Sequence, residues 1–395
     1  MPNSHQQCSS NIPVPLLDVG RGNSVIRDEV LAAIAEVYDS GRFLHGPQVT
    51  DLENYLAARC HSKFAVGCAS GSDALLLALM ALDIGPGDEV IVPSFTFFAT
   101  ASCVSRLGAK IVFVDIDPRT YNIDPNAVEA AITTRTRAII PVHLFGQSAA
   151  LTEIVKIASR NDIPVIEDAA QAIGAAYHGR PVCSWGQMGC ISFYPTKNLG
   201  GFGDGGMLTT DNEQLADRLR LLAGHGMRPR YYHSEVGINS RLDTFQAAGL
   251  LVKCRHLDHY TLARQTNAQR YFELFHEAGL DGARGFDDLT LPYVDPAAFH
   301  VWNQFSLRIP FGRRDALRTY LQQSQIGCEI YYPVPLHEQT CFRRLGYATG
   351  SLPHTEAAAR EILHLPIYPE MRPEEQTRVV SQVASFFRAN CRAVA

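Results

Sequence analysis

Between residues 64 and 169 the hydrophobic positions alternate between two textures. Short runs that are apolar almost throughout read as strands: FAVGCA (64–69), EVIVPS (89–94), KIVFVDI (110–116), AIIPVH (138–143) and PVIEDA (164–169). Longer stretches between them, at 72–82, 98–107, 125–132 and 151–161, read as helices. A strand without a polar face is covered on both sides, and helices between such strands make their neighbours parallel. The pattern therefore predicts an α/β fold, a mostly parallel sheet with helices on both faces. Ligands of such sheets sit at the carboxyl ends of the strands.

The flanks are less regular. Helices are expected near 27–38, stopped by Ser40-Gly41, and at 50–60 with Thr50 as the cap. Two short strands, 191–193 and 207–210, precede a helix at 212–222, a polar loop at 224–243 and one long helix over 244–278. From about residue 283 the texture changes. A strand (299–310), a helix (315–325), an extended Pro-bounded stretch (329–335) and two helices (354–363, 373–389) predict a smaller α+β C-terminal domain. The expected division is a disordered tail (1–11), a large domain (12–260) and a small one (261–395).

Composition narrows the partners. The chain has 395 residues, a formal charge of -5 and no basic stripe, which argues against nucleic acid or an anionic membrane. No apolar run reaches membrane-spanning length and residues 1–11 lack a signal-peptide core, so a cytoplasmic protein is expected. Ten scattered cysteines without Cys-x-x-Cys or Cys/His ligand spacing read as reduced thiols, and no metal site is expected.

The candidate chemistry centres on ISFYPTKNLGGFGDGGMLTT (191–210). It places Lys197 on a turn at a strand end, followed by glycines that let backbone approach a ligand closely. Such a lysine is either a surface charge or a Schiff-base amine. Three other stretches supply what pyridoxal phosphate needs from a protein. SGSDAL (70–75) opens a helix straight after a strand, so a phosphate could rest on Gly71, Ser72 and Asp73, unless this is only a helix cap. Asp168 closes an apolar strand, where a carboxylate needs a cation such as a protonated pyridine nitrogen, unless it only caps a helix at a strand-to-helix turn. Gln171 follows within reach of a phenolic oxygen, and Phe95, Phe97 and Phe98 offer rings for stacking or for the core.

The ordered stretches SGSDAL, GDEVIVPSFTF, IEDAAQ, SFYPTKNLGGFGDGG, INSRLDTFQAA and YYPVPLH resemble the DegT/DnrJ-type sugar aminotransferases, fold-type I pyridoxal phosphate enzymes. The resemblance runs from Ile12 to about Pro369 and implies roles by position. Lys197 would be the Schiff-base lysine, with Asp168 on the pyridine nitrogen, Gln171 on the phenolic oxygen and Phe97 stacked on the ring. Gly71, Ser72 and Ser192 would hold the phosphate, joined by Asn239 from the second subunit of a homodimer. Arg241, Tyr331 and Tyr332 would face a nucleotide-sugar substrate, although many relatives carry His in place of Tyr331. The implied reaction moves an amino group from an amino acid, glutamate by resemblance, to a keto nucleotide-sugar in amino-sugar, polysaccharide or glycoside biosynthesis. NSRLDTFQAA (239–248) is more similar to members that aminate C3 than C4, and the small Ser240 is expected to leave room beside the cofactor. Rival readings are a sugar dehydratase, which Lys197 opposes, a cyclitol aminotransferase with the same chemistry, and a non-catalytic nucleotide-binding regulatory protein, which has no use for a desolvated lysine.

Overall fold

The computed structural model describes residues 13–281 and 289–391; the expected tail at 1–11 lies outside them. Helices α1 (Val19–Val25), α2 (Arg27–Ser40) and α3 (Pro47–Arg59) precede the sheet. Strands and helices then alternate: β1 (Phe64–Cys68), α4 (Gly71–Ala81), β2 (Glu89–Pro93), α5 (Ala99–Arg106), β3 (Lys110–Val114), α6 (Pro125–Ala131), β4 (Thr136–Ile139), α7 (Leu151–Arg160) and β5 (Ile166–Asp168). A two-residue ribbon, β6 (Ala176–Tyr177) and β7 (Arg180–Pro181), leads to β8 (Met188–Ser192) and β9 (Gly206–Thr210).

β2 pairs in parallel with β3 and β4, and β5 in parallel with β8. Parallel bridges Ile139–Val165 and Val142–Asp168 join the two groups. The strand order is β3-β2-β4-β5-β8-β9-β1, with β9 antiparallel to both of its neighbours. Adjacent residues feed opposite cores. Cys190 and Leu208 pack with Leu75, Leu79 and Leu219, while Ile191 and Met207 pack with Leu52, Leu56 and Leu250 on the other face. The expected two-faced sheet is therefore present, and only the direction of β9 departs from the parallel pattern.

After α8 (Glu213–Ala223) the single helix expected over 244–278 is two, α9 (Thr244–Cys254) and α10 (Leu257–Ala278), broken at Arg255 and His256. The remaining elements are β10 (Ala298–Phe299), β11 (Phe305–Arg308), α11 (Arg314–Gln323), α12 (Pro353–Glu361), β12 (Ile362–Leu365) and α13 (Pro373–Cys391). β11 pairs antiparallel with β12, and their core takes in Tyr271 and Phe275 of α10. Val14 joins the same core and bridges Ile326 in parallel, so the start of the described chain packs among its C-terminal elements. The strand expected at 299–310 shrinks to β10 and β11, because 300–304 turns irregular around Trp302, which has φ 50°. Among the described residues no helix is long and apolar enough to cross a membrane. The eight cysteines with described side chains are free.

One buried acid fixes the centre of the sheet. Glu167 of β5, fully enclosed, accepts the amides of Cys183 (2.8 Å), Trp185 (2.7 Å) and Gly186 (2.8 Å). It also faces His143 Nε2 at 3.1 Å, and His143 Nδ1 accepts the Ala149 amide, which leaves the ring proton on Nε2 pointing at Glu167. Four donors thus converge on one carboxylate, and an amide in its place would set N–H against N–H. Glu167→Gln is expected to destabilise the chain by about 3 kcal/mol, read as a lower urea midpoint at unchanged m-value.

Candidate active site

The carboxyl ends of β1, β2, β5 and β8 and the start of β9 surround a cleft of about 570 Å³. Gly71, Ser72, Phe97, Asp168, Gln171, Ser192, Lys197, Tyr331 and Tyr332 all line it, so nine of the residues named from sequence meet in one place.

β8 delivers the chain to the lysine loop. The Lys197 amide donates to Tyr194 O at 2.9 Å, and the Gly201 amide to Phe193 O at 2.7 Å, closing the loop on itself. Gly200 is required here, since a Cβ would lie 2.3 Å from Pro195 O. Asn198 anchors the loop to the C-terminal half by donating to Val301 O (2.9 Å) and accepting from Asn303 Nδ2 (2.9 Å). Lys197 itself is half-buried, and burial lowers its ammonium below the ordinary lysine value while the charge of Asp168 pulls the other way.

Asp168 is buried at the end of β5. Its Oδ2 accepts from Thr100 Oγ1 (2.8 Å) and its Oδ1 from the Ala170 amide (3.1 Å). Burial raises its pKa above the ordinary 3.8, against the pull of those two bonds and of the charge of Lys197. Gln171 is held by the Phe145 amide, which donates to Oε1 at 2.8 Å, and this turns Nε2 toward Tyr332 Oη at 3.3 Å. The Tyr332 ring stands 6.1 Å from Phe95 and 6.2 Å from Phe97. Tyr332, placed at the sugar by the resemblance, therefore reaches the Asp168–Gln171 end of the cleft. Burial and then the nearby Asp168 charge raise its phenol.

At the other end α4 begins beside Ser192. A Cβ on Gly71 would lie 2.6 Å from the Ser192 Cβ, so only glycine lets the helix start come this close. The Ser70 hydroxyl caps the Asp73 amide at 3.1 Å, leaving the amides of Gly71 and Ser72, which the helix itself does not use, at the cleft. Asp73, expected to share in phosphate binding, is instead turned away: its Oδ2 accepts from Ser240 Oγ at 2.7 Å, and Ser240 Oγ accepts the Ala69 amide at 3.1 Å. Ser240 is fully buried beneath the helix start and does not line the cleft, so the room expected from it beside the cofactor does not exist within one chain. Asn239 and Arg241 do not line the cleft either; Asn239 is exposed. Phe95 and Phe98 are likewise absent from the lining, Phe95 being core and Phe98 stacked on Phe342.

Thr96, Tyr194, Asp204, Asn303 and Gln304 also line the cleft and were not singled out from sequence. A signal existed for two of them. Asn303 and Gln304 interrupt an otherwise apolar run, VWNQF, with adjacent polar residues that no strand face accommodates.

The family model for DegT/DnrJ/EryC1/StrS aminotransferases matches residues 24–384. This chain belongs to that family. Among its relatives, the "pleiotropic regulatory protein" of Geobacillus stearothermophilus is 48% identical, over 95% of this chain and 99% of the relative. The UDP-N-acetyl-3-dehydro-alpha-D-glucosamine 3-aminotransferase of Acidithiobacillus ferrooxidans is 44% identical, over 95% and 98%. The crystal structure of DesV from S. venezuelae superposes with a TM-score of 0.90 at 42% identity, covering 95% of this chain and 98% of that one.

The chain is a pyridoxal-phosphate-dependent aminotransferase, and its own residues fit that cofactor. The aminotransferase offers a desolvated carboxylate that lacks a full cationic partner, an amide aimed by its own hydrogen bond, and helix-start amides beside a serine hydroxyl. These match a protonated ring nitrogen, a phenolic oxygen and a phosphate respectively.

The strain on Asp168 makes the fit testable without turnover. Asn in its place can accept the Ala170 amide and donate to Thr100 Oγ1, whose own proton then turns to Thr96 Oγ1, 3.2 Å away. Because folding raises Asp168 from 3.8, the cofactor-free chain loses stability as pH rises from there through the raised value, and stays lower above it. Cofactor-free Asp168→Asn should therefore melt about 2 °C or more above the parent at pH 7.5, with the gap closing below about pH 4. The cofactor-loaded variant should lose roughly a hundredfold or more in turnover. Equal melting of the two cofactor-free proteins at pH 7.5 would contradict the strain.

Proposed function

We propose that this aminotransferase transfers an amino group from glutamate to C3 of a keto-sugar carried by a nucleotide, in the cytoplasm. The observation that carries the reading is the meeting of Lys197 and Asp168 in one cleft, in a chain so similar to an enzyme named for amination at C3. The relative named for regulation offers a second reading, against which stands the complete set of Lys197, Asp168 and Gln171 in the cleft.

When bound, pyridoxal phosphate supplies an aldehyde carbon that carries the nitrogen and a ring that holds the electron pair released at the neighbouring carbon. Asp168 keeps the ring nitrogen charged. Gln171 Nε2 donates to the phenolic oxygen, and Gly71, Ser72 and Ser192 hold the phosphate. Phe97 supplies the stacking face. Lys197 Nζ would hold the cofactor's aldehyde carbon and, when free, would take up and return a proton at the substrate carbon; its lowered pKa leaves more of it as the free amine that this task needs. Tyr331 and Tyr332 close the side where the sugar enters.

Asn239 and Arg241 do not line their own cleft, which fits their reaching the cleft of a second copy in a twofold homodimer. There Asn239 would reach the phosphate, and the planar guanidinium of Arg241 would suit a carboxylate or diphosphate on the substrate.

Lys197→Ala should fold normally and lose several orders of magnitude in turnover; near-parental turnover would refute its catalytic role. Mixed with an Asn239/Arg241 double mutant under random exchange, it should recover about a quarter of the normal sites. Proven heterodimers without recovered activity would rule out shared sites. Offered UDP- or dTDP-linked 3-keto and 4-keto sugars with glutamate, the enzyme should place nitrogen on C3, read by NMR of the product. Amination at C4 alone would overturn the C3 reading and leave the family untouched.

A further inference from the structure

The lysine loop is gripped on a second side by helix α9, through residues that do not line the cleft. Gln246, Gly249 and Lys253 lie at i, i+3 and i+7, on one face of the helix. Gln246 Oε1 accepts the Phe202 amide at 2.8 Å. Gly249 lets the Phe202 ring lie against the helix, since a Cβ there would meet it at 2.5 Å. Lys253, buried, donates from Nζ to Gly200 O at 2.7 Å and stands 4.6 Å from the centre of the Phe202 ring.

We propose that Lys253 is a positioning residue for the reaction, an ammonium that fixes the outgoing limb of the Lys197 loop through Gly200 and Phe202 and so sets where the Lys197 amine stands. The inference rests on the catalytic reading of Lys197. Its logic is mechanical. The loop is closed by Gly201 to Phe193, and Gly200 packs on Pro195, so Lys197 rides at the tip of a ring with two outside anchors. Asn198 ties one limb to Val301 and Asn303; Lys253 ties the other to α9. Burial lowers the Lys253 ammonium to about 8, with the charge of Glu370 opposing the shift, so its charge is held at a cost that an apolar side chain in the same groove would not bear. What the ammonium adds over such a side chain is the bond to Gly200 and the attraction to the ring face.

Lys253→Met keeps the apolar stem and removes donor and charge; Lys253→Arg returns both. In the cofactor-loaded enzyme Lys253→Met should lower kcat about tenfold to a hundredfold with KM for both substrates within about twofold. The pH midpoint of the bound cofactor's visible absorption should shift by about half a unit or more, because it reports the setting of the Lys197 nitrogen. In the cofactor-free chain, backbone amides at 198–203 should exchange with solvent about tenfold faster. Lys253→Arg should recover part of kcat and of the exchange protection. Unchanged kcat, unchanged exchange at 198–203, or an Arg variant no better than Met would each overturn the proposal, as would a lower melting temperature with the absorption midpoint unmoved, which marks packing alone. An active Lys197→Ala variant would refute the catalytic role of Lys197 and leave the exchange result standing, so the two failures are distinguishable.

Discussion

Asp168 sits where an anion is least at ease, sealed at the end of β5 with one hydroxyl and one amide to receive it. That discomfort organises the site. A carboxylate that burial pushes toward its neutral form stabilises a positive ring nitrogen far more than an exposed one would, because no water competes for either charge. The same enclosure shifts Lys197 toward the neutral amine, and the two shifts have one origin in the depth of the cleft. The neighbouring acid, Glu167, is just as buried yet carries four donors, so the sheet centre holds two carboxylates side by side with opposite tasks. One is satisfied and structural. The other is left short of partners, and that shortage is where a cofactor fits.

Much of this was legible in the sequence because the signals were local. Lys197 follows a strand and precedes glycines, Asp168 ends an apolar run, and Gly71 opens a helix after a strand; each motif lies on one short segment whose geometry neighbouring residues dictate. What escaped depends on the tertiary fold. Ser240 looks like a small residue near a ligand, but its hydroxyl lies between Ala69 and Asp73, 171 and 167 residues earlier, and no local pattern announces that contact. The resemblance places Tyr332 with Tyr331 at the sugar; that its hydroxyl also accepts from Gln171 Nε2, 161 residues earlier, is a contact no local pattern announces. The antiparallel run of β9 was hidden for a similar reason, since a short apolar strand reads alike in either direction. The break between α9 and α10 falls at Arg255 and His256, residues without helix-breaking character, so the chain looked continuous.

The C-terminal elements reach the site through few residues. Asn303 meets Asn198, Tyr332 meets Gln171, and the buried Arg264 of α10 holds Trp302 O and Ile367 O, fixing the irregular turn that presents Asn303 and Gln304. The site is therefore a property of both ends of the chain, with the sheet supplying charge and the C-terminal part supplying its wall.

That arrangement bears on how the chain is made. Val14 leaves the ribosome 312 residues before Ile326, the residue it bridges. At roughly 5–20 residues per second, synthesis of the intervening stretch takes on the order of tens of seconds, during which the N-terminal segment has no strand to join. The central sheet is in a different position, since every strand from β1 to β9 has been synthesised once residue 210 is reached. Birth order thus separates the two walls of the cleft in time: the wall bearing Lys197 and Asp168 can set first, and the wall bearing Asn303 and Tyr332 follows, in the stretch where the segment around Val14 finds its partner at Ile326.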